Sequence, residues 1–141
     1  MQAMEISLSG LDVEWQRLQV IAQNLANVNT SRTADGQSYQ PKQLVSGPKV
    51  SFEDMMTDRA SRTLAGIEVY GIEAQRRGTK RVHEPSHPHA DPDGFVSYPD
   101  INHAGEMTSM IKTSRAYEAN LVALNIAMQM YSRGLELGRQ T

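Results

Sequence analysis

The sequence predicts a mainly α protein with a small β-rich insertion, in which long N- and C-terminal helices pair as a coiled coil around a short middle module of hairpin and loops. Three observations predict it. Near the start, Met4, Leu8, Leu11, Trp15, Leu18, Ala22 and Leu25 are spaced alternately by four and three residues, the interval that keeps an apolar line facing one partner helix. Near the end, Met110, Ser114, Tyr117, Leu121, Leu124, Met128, Tyr131 and Leu135 repeat the rule with only Ser114 polar. Between these seams the chain is rich in turn formers, and all six prolines fall between residues 41 and 99, where they exclude a long helix.

Three regions follow: an N-terminal helical region at 1–30, a β-rich and looped middle at 31–104, and a C-terminal helical region at 105–141. The helices themselves are expected over about 3–28 and 105–138. In the first, Ile6, Val13 and Val20 fall opposite the seam, where charge is the rule for a simple coiled coil. In the second, Ala119 and Ile126 do the same, and "ANLVALNIAMQM" is apolar almost all the way round. A helix apolar on every side needs cover on every side. One partner helix cannot provide it, so neighbouring copies of the chain are expected to. Ordering two long segments costs backbone entropy that the seams alone do not offset, so the termini are expected to be frayed in a lone subunit and to order on assembly.

The stretch "QVIAQNLANVNTS", residues 19–31, sets Asn24, Asn27 and Asn29 among apolar residues. Asn27 and Asn29 stand where the seam runs out, and asparagine tolerates the left-handed conformation that closes a helix. Asn24 and Asn120 have two readings by spacing alone: an interfacial amide that fixes register, or plain solvent exposure. In the middle, Asp35-Gly36 marks a tight turn. Tyr39 to Val45 reads as a strand with Pro41 at an edge or bulge. Residues 66–82 read as a hairpin with Ile67, Val69 and Ile72 on one side and a turn over Arg76 to Thr79. Residues 57–65 read as a polar loop, and 84–102 as an extended, turn-rich surface run.

Composition limits the function. The chain has 141 residues, a formal net charge of -2 and no cysteine, which excludes disulfides, thiolate metal sites and a cysteine nucleophile. So small a charge gives no strong attraction to nucleic acid or anionic lipid. Glu5, Asp12 and Glu14 interrupt the N-terminal apolar run, unlike a cleavable secretory signal. Among candidate chemical sites, His83, His87, His89, Asp91 and Asp93 have metal-ligand chemistry. The intervening Pro85, Pro88 and Pro92 deny them a regular scaffold, so no metal is assigned. "RRGTKR", residues 76–81, lacks interleaved aromatics and reads as a charged turn rather than a phosphate contact. Asn29-Thr30-Ser31 matches a glycosylation sequon, relevant only to a eukaryotic secreted protein. No phosphate-cradling glycine loop or nucleophile elbow is present in the sequence, and no catalytic residue or cofactor is assigned.

"RLQVIAQNLANVNT" and "GEMTSMIKTSRAYEANLVALNIAMQM" resemble the N- and C-terminal signatures of the flagellar axial proteins. The stretches "ADGQSYQPKQLV" and "ADPDGFVSYPDIN" are similar to the middle of that family's proximal rod members. The resemblance covers both ends and about half of the middle; residues 46–65 match nothing in it, and the three histidines lie outside its pattern. Its N-terminal motif falls on Arg17, Leu18, Ala22, Asn24, Leu25, Ala26, Asn27 and Thr30, and its C-terminal motif on Glu106, Met107, Arg115, Tyr117, Ala119 and Asn120. The resemblance implies a structural, non-enzymatic subunit of the bacterial flagellar basal-body rod. Such a subunit is exported by the flagellar type III apparatus without a cleaved signal, and it packs its terminal helices around a central channel in the periplasmic space. Its implied partners are copies of itself, other rod subunits and the export apparatus, with no nucleic acid and no membrane span. Another axial subunit, or a small metal-dependent enzyme on the histidine-rich loop, is the alternative. The expected subunit-interface residues are Leu8, Leu11, Trp15, Leu18, Ala22, Asn24, Leu25 and Asn27 with Met110, Tyr117, Asn120, Leu121, Leu124, Met128, Tyr131 and Leu135.

Overall fold

The computed structural model describes residues 2–50 and 66–139. Within them the order is α1 (Gln2–Ala26), β1 (Lys42–Pro48), β2 (Ile67–Ala74), β3 (Thr79–His83), β4 (Phe95–Pro99) and α2 (His103–Gly138). The mainly helical class with a small β insertion is therefore what forms. The polar loop expected at 57–65 lies outside the described residues.

Both helices form where the four-and-three spacing places them. α1 stops after Ala26, and no residue other than glycine takes a positive φ among the described residues. The left-handed asparagine exit expected at Asn27 or Asn29 is thus not used. Instead the Asn27 side chain donates to the Gln23 carbonyl at 2.8 Å, and Thr30 Oγ1 donates to Asn27 Oδ1 at 3.0 Å. A carbonyl of the last turn gains a donor without backbone strain. α2 begins two residues earlier than expected because Asn102 caps it, its side-chain oxygen accepting from Gly105 N at 3.0 Å.

The strands form two antiparallel pairs, β1 with β2 and β3 with β4. The expected hairpin over 66–82 does not exist. β2 lies along β1, with Gln75 N extending that ladder to the Pro41 carbonyl, whereas Asp100 N extends the other pair to Gly78 O. Residues 75–78 therefore carry the chain from one sheet to the other. Gly78 is absent from the positive-φ glycines, so the mirror-image turn that closes short hairpins is missing there. Ile67 and Val69 face the core, and Ile72, the register partner of Leu44 across the irregularity at Tyr70, shares their side of the sheet but is exposed. The strand near Tyr39 begins at Lys42, just after Pro41, and the bulge in this pair lies on β2, where Tyr70 is the extra residue opposite Val45 and Ser46. The Asp35-Gly36 turn forms, with Gly36 at φ 75° and its N–H bonded to the Thr33 carbonyl. The run 84–102 is turn-rich as expected, yet it also contains β4, whose Val96 is only 1% exposed.

The main core is Val13 and Val20 of α1 against Leu44 of β1, with Ile67 and Val69 of β2 packed around them. These two valines are the residues that spacing had assigned to neighbouring copies. The protein's own β1–β2 pair covers them instead. That cover ties α1 down within the subunit, so the fraying expected at both termini loses its physical basis along this face of α1.

Candidate functional site

Asn24, near the end of α1, is the one fully buried polar side chain among the described residues that joins three elements. Its side chain is 1% exposed. Oδ1 accepts from Lys42 N at 2.9 Å and from the Tyr39 hydroxyl at 3.1 Å. Nδ2 donates to the Lys42 carbonyl at 2.8 Å and to Glu106 Oε2 at 3.3 Å. A carboxamide offers two donor and two acceptor positions, and all four are used. Of the two sequence readings, exposure is excluded. The amide fixes register inside the subunit, joining α1, the start of β1 and the first turn of α2. Tyr39 has its hydroxyl pKa raised, first by burial and then by the Glu106 carboxylate.

Two further polar residues extend this junction along α1. Arg17 donates to Glu14 Oε2 at 3.2 Å, to the Leu44 carbonyl at 3.4 Å and to Ser46 Oγ at 2.7 Å. Ser9 Oγ accepts from Ile67 N at 3.1 Å. Ser9, Arg17 and Asn24 thus hold the β1–β2 pair in register on the helix. Spacing alone gave no sign of Ser9, Tyr39 or Lys42. The family motif did include Arg17, Asn24 and Glu106. A cavity of about 380 Å³ beside the junction is bordered by Arg17, Lys42 and Arg77 with Glu106 as its one carboxylate and no histidine.

The helices run antiparallel. Asn24 meets Glu106, Trp15 meets Tyr117 with ring centroids 6.3 Å apart, and a Cβ on Gly10 would lie 2.9 Å from the Asn120 side chain. Small residues permit this approach: Ser7, Gly10 and Thr113 are all buried. The buried line of α1 therefore runs through Ser7, Gly10, Ile21 and Asn24, one residue before the expected Leu8, Leu11, Ala22 and Leu25. Of the expected residues, Leu8, Trp15 and Ala22 are exposed, and Leu11, Leu18, Leu25 and Asn27 are half-buried. On α2, Leu124 is buried, Met110, Tyr117 and Asn120 are half-buried, and Leu121, Met128, Tyr131 and Leu135 are exposed. The seam turns in this way because α1 must also give Val13 and Val20 to the sheet. A helix with two intramolecular contacts cannot centre either one on its largest side chains.

Most of the expected interface thus lies outside the contacts within one subunit. Leu8 and Trp15 are 52% and 53% exposed, and Trp15 borders a shallow groove with Leu11, Asp12 and Tyr117. α2 is also 11 residues longer than α1. Since Asn24 and Glu106 are level at one end, most of the excess, about 15 Å, projects past the first turn of α1. At that step Ala3 and Met4 share an apolar cleft of about 510 Å³ with Ala127, Tyr131 and Leu135. No helix among the described residues is long and apolar enough to cross a membrane.

The histidine-rich run is organised by other bonds. His83 packs edge-on against Phe95 at 5.0 Å between centroids, His87 Nδ1 accepts from His89 N at 3.1 Å, and His89 Nδ1 lies 2.8 Å from Ser31 Oγ. Asp91 accepts from Phe95 N at 2.8 Å and from Asp93 N at 3.1 Å, and it pairs with Arg81. These bonds hold its carboxyl below the usual range, the Phe95 N–H contributing most. Among the described residues no three His, Asp or Glu side chains converge to hold a metal ion. Of the basic stretch, Arg81 stacks over Phe95 at 4.7 Å and so belongs to the β3–β4 pair.

Residues 93–137 match the family described as flagellar basal body rod FlgEFG protein C-terminal. Over nearly the whole chain the sequence is similar to proteins named flagellar basal-body rod protein FlgC. The Salmonella typhimurium protein is 34% identical, covering 96% of this chain and 95% of its own. That of Borreliella burgdorferi is 31% identical with the same coverage, and that of Bacillus subtilis is 28% identical over 97% of each.

Proposed function

The chain belongs to the family of flagellar basal-body rod proteins FlgC, and from that membership we infer that it is a structural subunit of the flagellar basal-body rod. Its place is the proximal rod, in the periplasmic part of the basal body. It arrives there through the flagellar type III export apparatus without a cleaved signal. Copies of the chain, with other rod subunits, pack their terminal helices into a hollow shaft that carries motor torque to the hook. The working residues are packing surface, and no catalytic step is assigned to any of them.

One observation carries this reading. Among the described residues, most of the exposed large apolar side chains lie on α1 and α2, where Leu8, Trp15, Leu121, Met128, Tyr131 and Leu135 are each at least 42% exposed. Exposed apolar side chains repeated along a helix pair support an interaction surface. The β1–β2 pair already covers the opposite flank of α1, so the remaining strips are free for neighbours. Their burial supplies the order that the unpaired length of α2 lacks alone.

Leu121→Asp tests the reading. Because Leu121 is exposed in the subunit, the charge leaves the circular dichroism and thermal transition of the purified protein close to wild type. In cells it abolishes incorporation into the rod, seen by electron microscopy of isolated basal bodies. Normal rods containing the variant would refute the assignment of this surface.

A further inference from the structure

Independently of the rod reading, we propose that the cavity beside the Asn24 junction is a docking site for an acidic peptide segment of another protein, one that presents an aspartate or glutamate carboxylate together with main-chain N–H groups. The cavity, of about 380 Å³, is bordered by Arg17 of α1, Lys42 of β1, Arg77 of the crossover between the sheets and Glu106 of α2. Its volume falls within the range of about 300–1,000 Å³ typical of ligand sites.

Three features select this occupant. The first is charge. The whole chain carries a formal net charge of -2, yet this cavity is bordered by three cations and one carboxylate. Arg17 is partly neutralised by Glu14 at 3.2 Å. Lys42 and Arg77 are exposed, and among the described residues neither has an ion pair or a side-chain hydrogen bond. An anion that enters between them meets two unpaired charges brought together from separate parts of the chain. The second feature is the mounting of those charges. The N–H and the carbonyl of Lys42 are both held by the Asn24 amide, and Arg77 N donates to the Gln75 carbonyl at 2.7 Å. The backbone that carries each cation is therefore placed before a ligand arrives, which lowers the entropy lost on binding. The third feature separates a peptide from a bare polyanion. Glu106 opposes a phosphate chain or a nucleic acid, whereas its carboxylate accepts readily from an N–H. Gln75 Nε2 donates to Gln43 Oε1 at 3.2 Å, but Gln75 Oε1 is buried without a partner. Only one printed bond holds this amide, and turning it toward a peptide N–H gives the carbonyl the donor it lacks. A segment with one carboxylate and neighbouring N–H groups thus suits both the basic and the accepting walls of the cavity, and a polyphosphate suits only the first.

NMR titration of the full-length, isotope-labelled chain tests the site. The probe is the capped tripeptide acetyl-Gly-Asp-Gly-amide, with acetyl-Gly-Asn-Gly-amide, acetate and tripolyphosphate as comparisons. The aspartyl peptide is expected to shift the signals of Lys42, Gln75 and Arg77 in a saturable way, and to bind about tenfold more tightly than the asparaginyl one at low salt. Lys42→Gln and Arg77→Gln each weaken it about two- to fivefold. Both side chains are exposed and unpaired, so the thermal transition stays at the wild-type value and the loss is one of binding. Gln75→Met weakens the aspartyl peptide while leaving acetate unchanged, a difference that a general loss of charge or of fold does not produce. Equal binding of the two peptides, shifts centred elsewhere, no effect of the lysine and arginine replacements, or tighter binding of tripolyphosphate would overturn the proposal. In cells, a photoreactive benzophenone side chain in place of Gln43, at the edge of the cavity, is expected to crosslink to an acidic segment of a different protein, mapped by mass spectrometry. No crosslink, or one to a segment without Asp or Glu, or to another copy of this chain, would also overturn it. The rod reading is judged separately, by whether the subunit is present in isolated basal bodies.

Discussion

Replacing Asn24 with alanine removes one side chain that touches three elements. The substitution deletes the amide that serves both the N–H and the carbonyl of Lys42, the Tyr39 hydroxyl and Glu106. The site is 1% exposed, so water cannot replace these bonds without opening the junction. A buried polar group left without its partner costs about 1–3 kcal/mol. With Lys42 and Tyr39 relaxing in part, the loss is on the order of 2–5 kcal/mol. Against a total stability of about 5–15 kcal/mol this is a large fraction. At about 2–4 °C per kcal/mol for a chain of this size, the midpoint falls by roughly 5–15 °C. Trp15 is the sole tryptophan and packs on Tyr117, so its fluorescence reports separation of the helices during urea unfolding. Asn24→Asp sharpens the test. It keeps the acceptors, loses the donors and sets a carboxylate beside Glu106, which raises its own pKa. Its stability is therefore best at low pH and is lost as pH rises through that raised value. If Asn24→Ala stays within about 0.5 kcal/mol of wild type, the amide does not hold the junction.

Other expectations concern the helix crossing, the second sheet and the projecting helix end. Gly10→Leu forces side-chain atoms into Asn120 and lowers the unfolding midpoint more than Gly10→Ala does, and Asn120→Gly in the same chain restores much of the loss; a Gly10→Leu variant as stable as wild type would refute the close crossing. The Asp91 carboxyl is held below the usual range by the Phe95 N–H first, with further help from Arg81. Its folded pKa lies below the unfolded one, so its contribution is complete above the ordinary carboxylate value and disappears as pH falls through the lower folded value. NMR titration of Asp91 checks this, and Asp91→Asn removes that part of the acid sensitivity. Amide exchange on dilute monomer is expected to protect Val13 to Asn24, under the β1–β2 pair, well above residues 129–138 of α2; uniform protection of both would contradict the need for neighbours.

Legibility differed by element for physical reasons. The helices were readable because a four-and-three apolar spacing repeats over many turns and admits few competing structures. The Asp35-Gly36 turn was readable because its chemistry is local. The hairpin over 66–82 was misread, since two apolar runs separated by a glycine also suit strands that pair elsewhere. What separates the cases is that Leu44 and Val69 meet on Val13 and Val20, a contact between residues far apart in the chain. The residues expected at a subunit interface fall in different places within the subunit. Leu8, Trp15, Leu121 and Tyr131 lie on open surface, whereas Asn24 and Leu124 are consumed inside the subunit. Gly10, in the middle of a helix where glycine is unfavourable, was the one available sign of a close crossing.

The sequence by itself determined the helical ends, the absence of thiol chemistry, the turn-broken middle and the family, because these depend on local pattern and on residue identity. Only the tertiary structure decided which flank of α1 faces inward, which strands pair, and that Asn24 is a junction rather than a surface amide. A helix has one sequence but several faces, and the assignment of each face depends on what else in the chain competes to cover it.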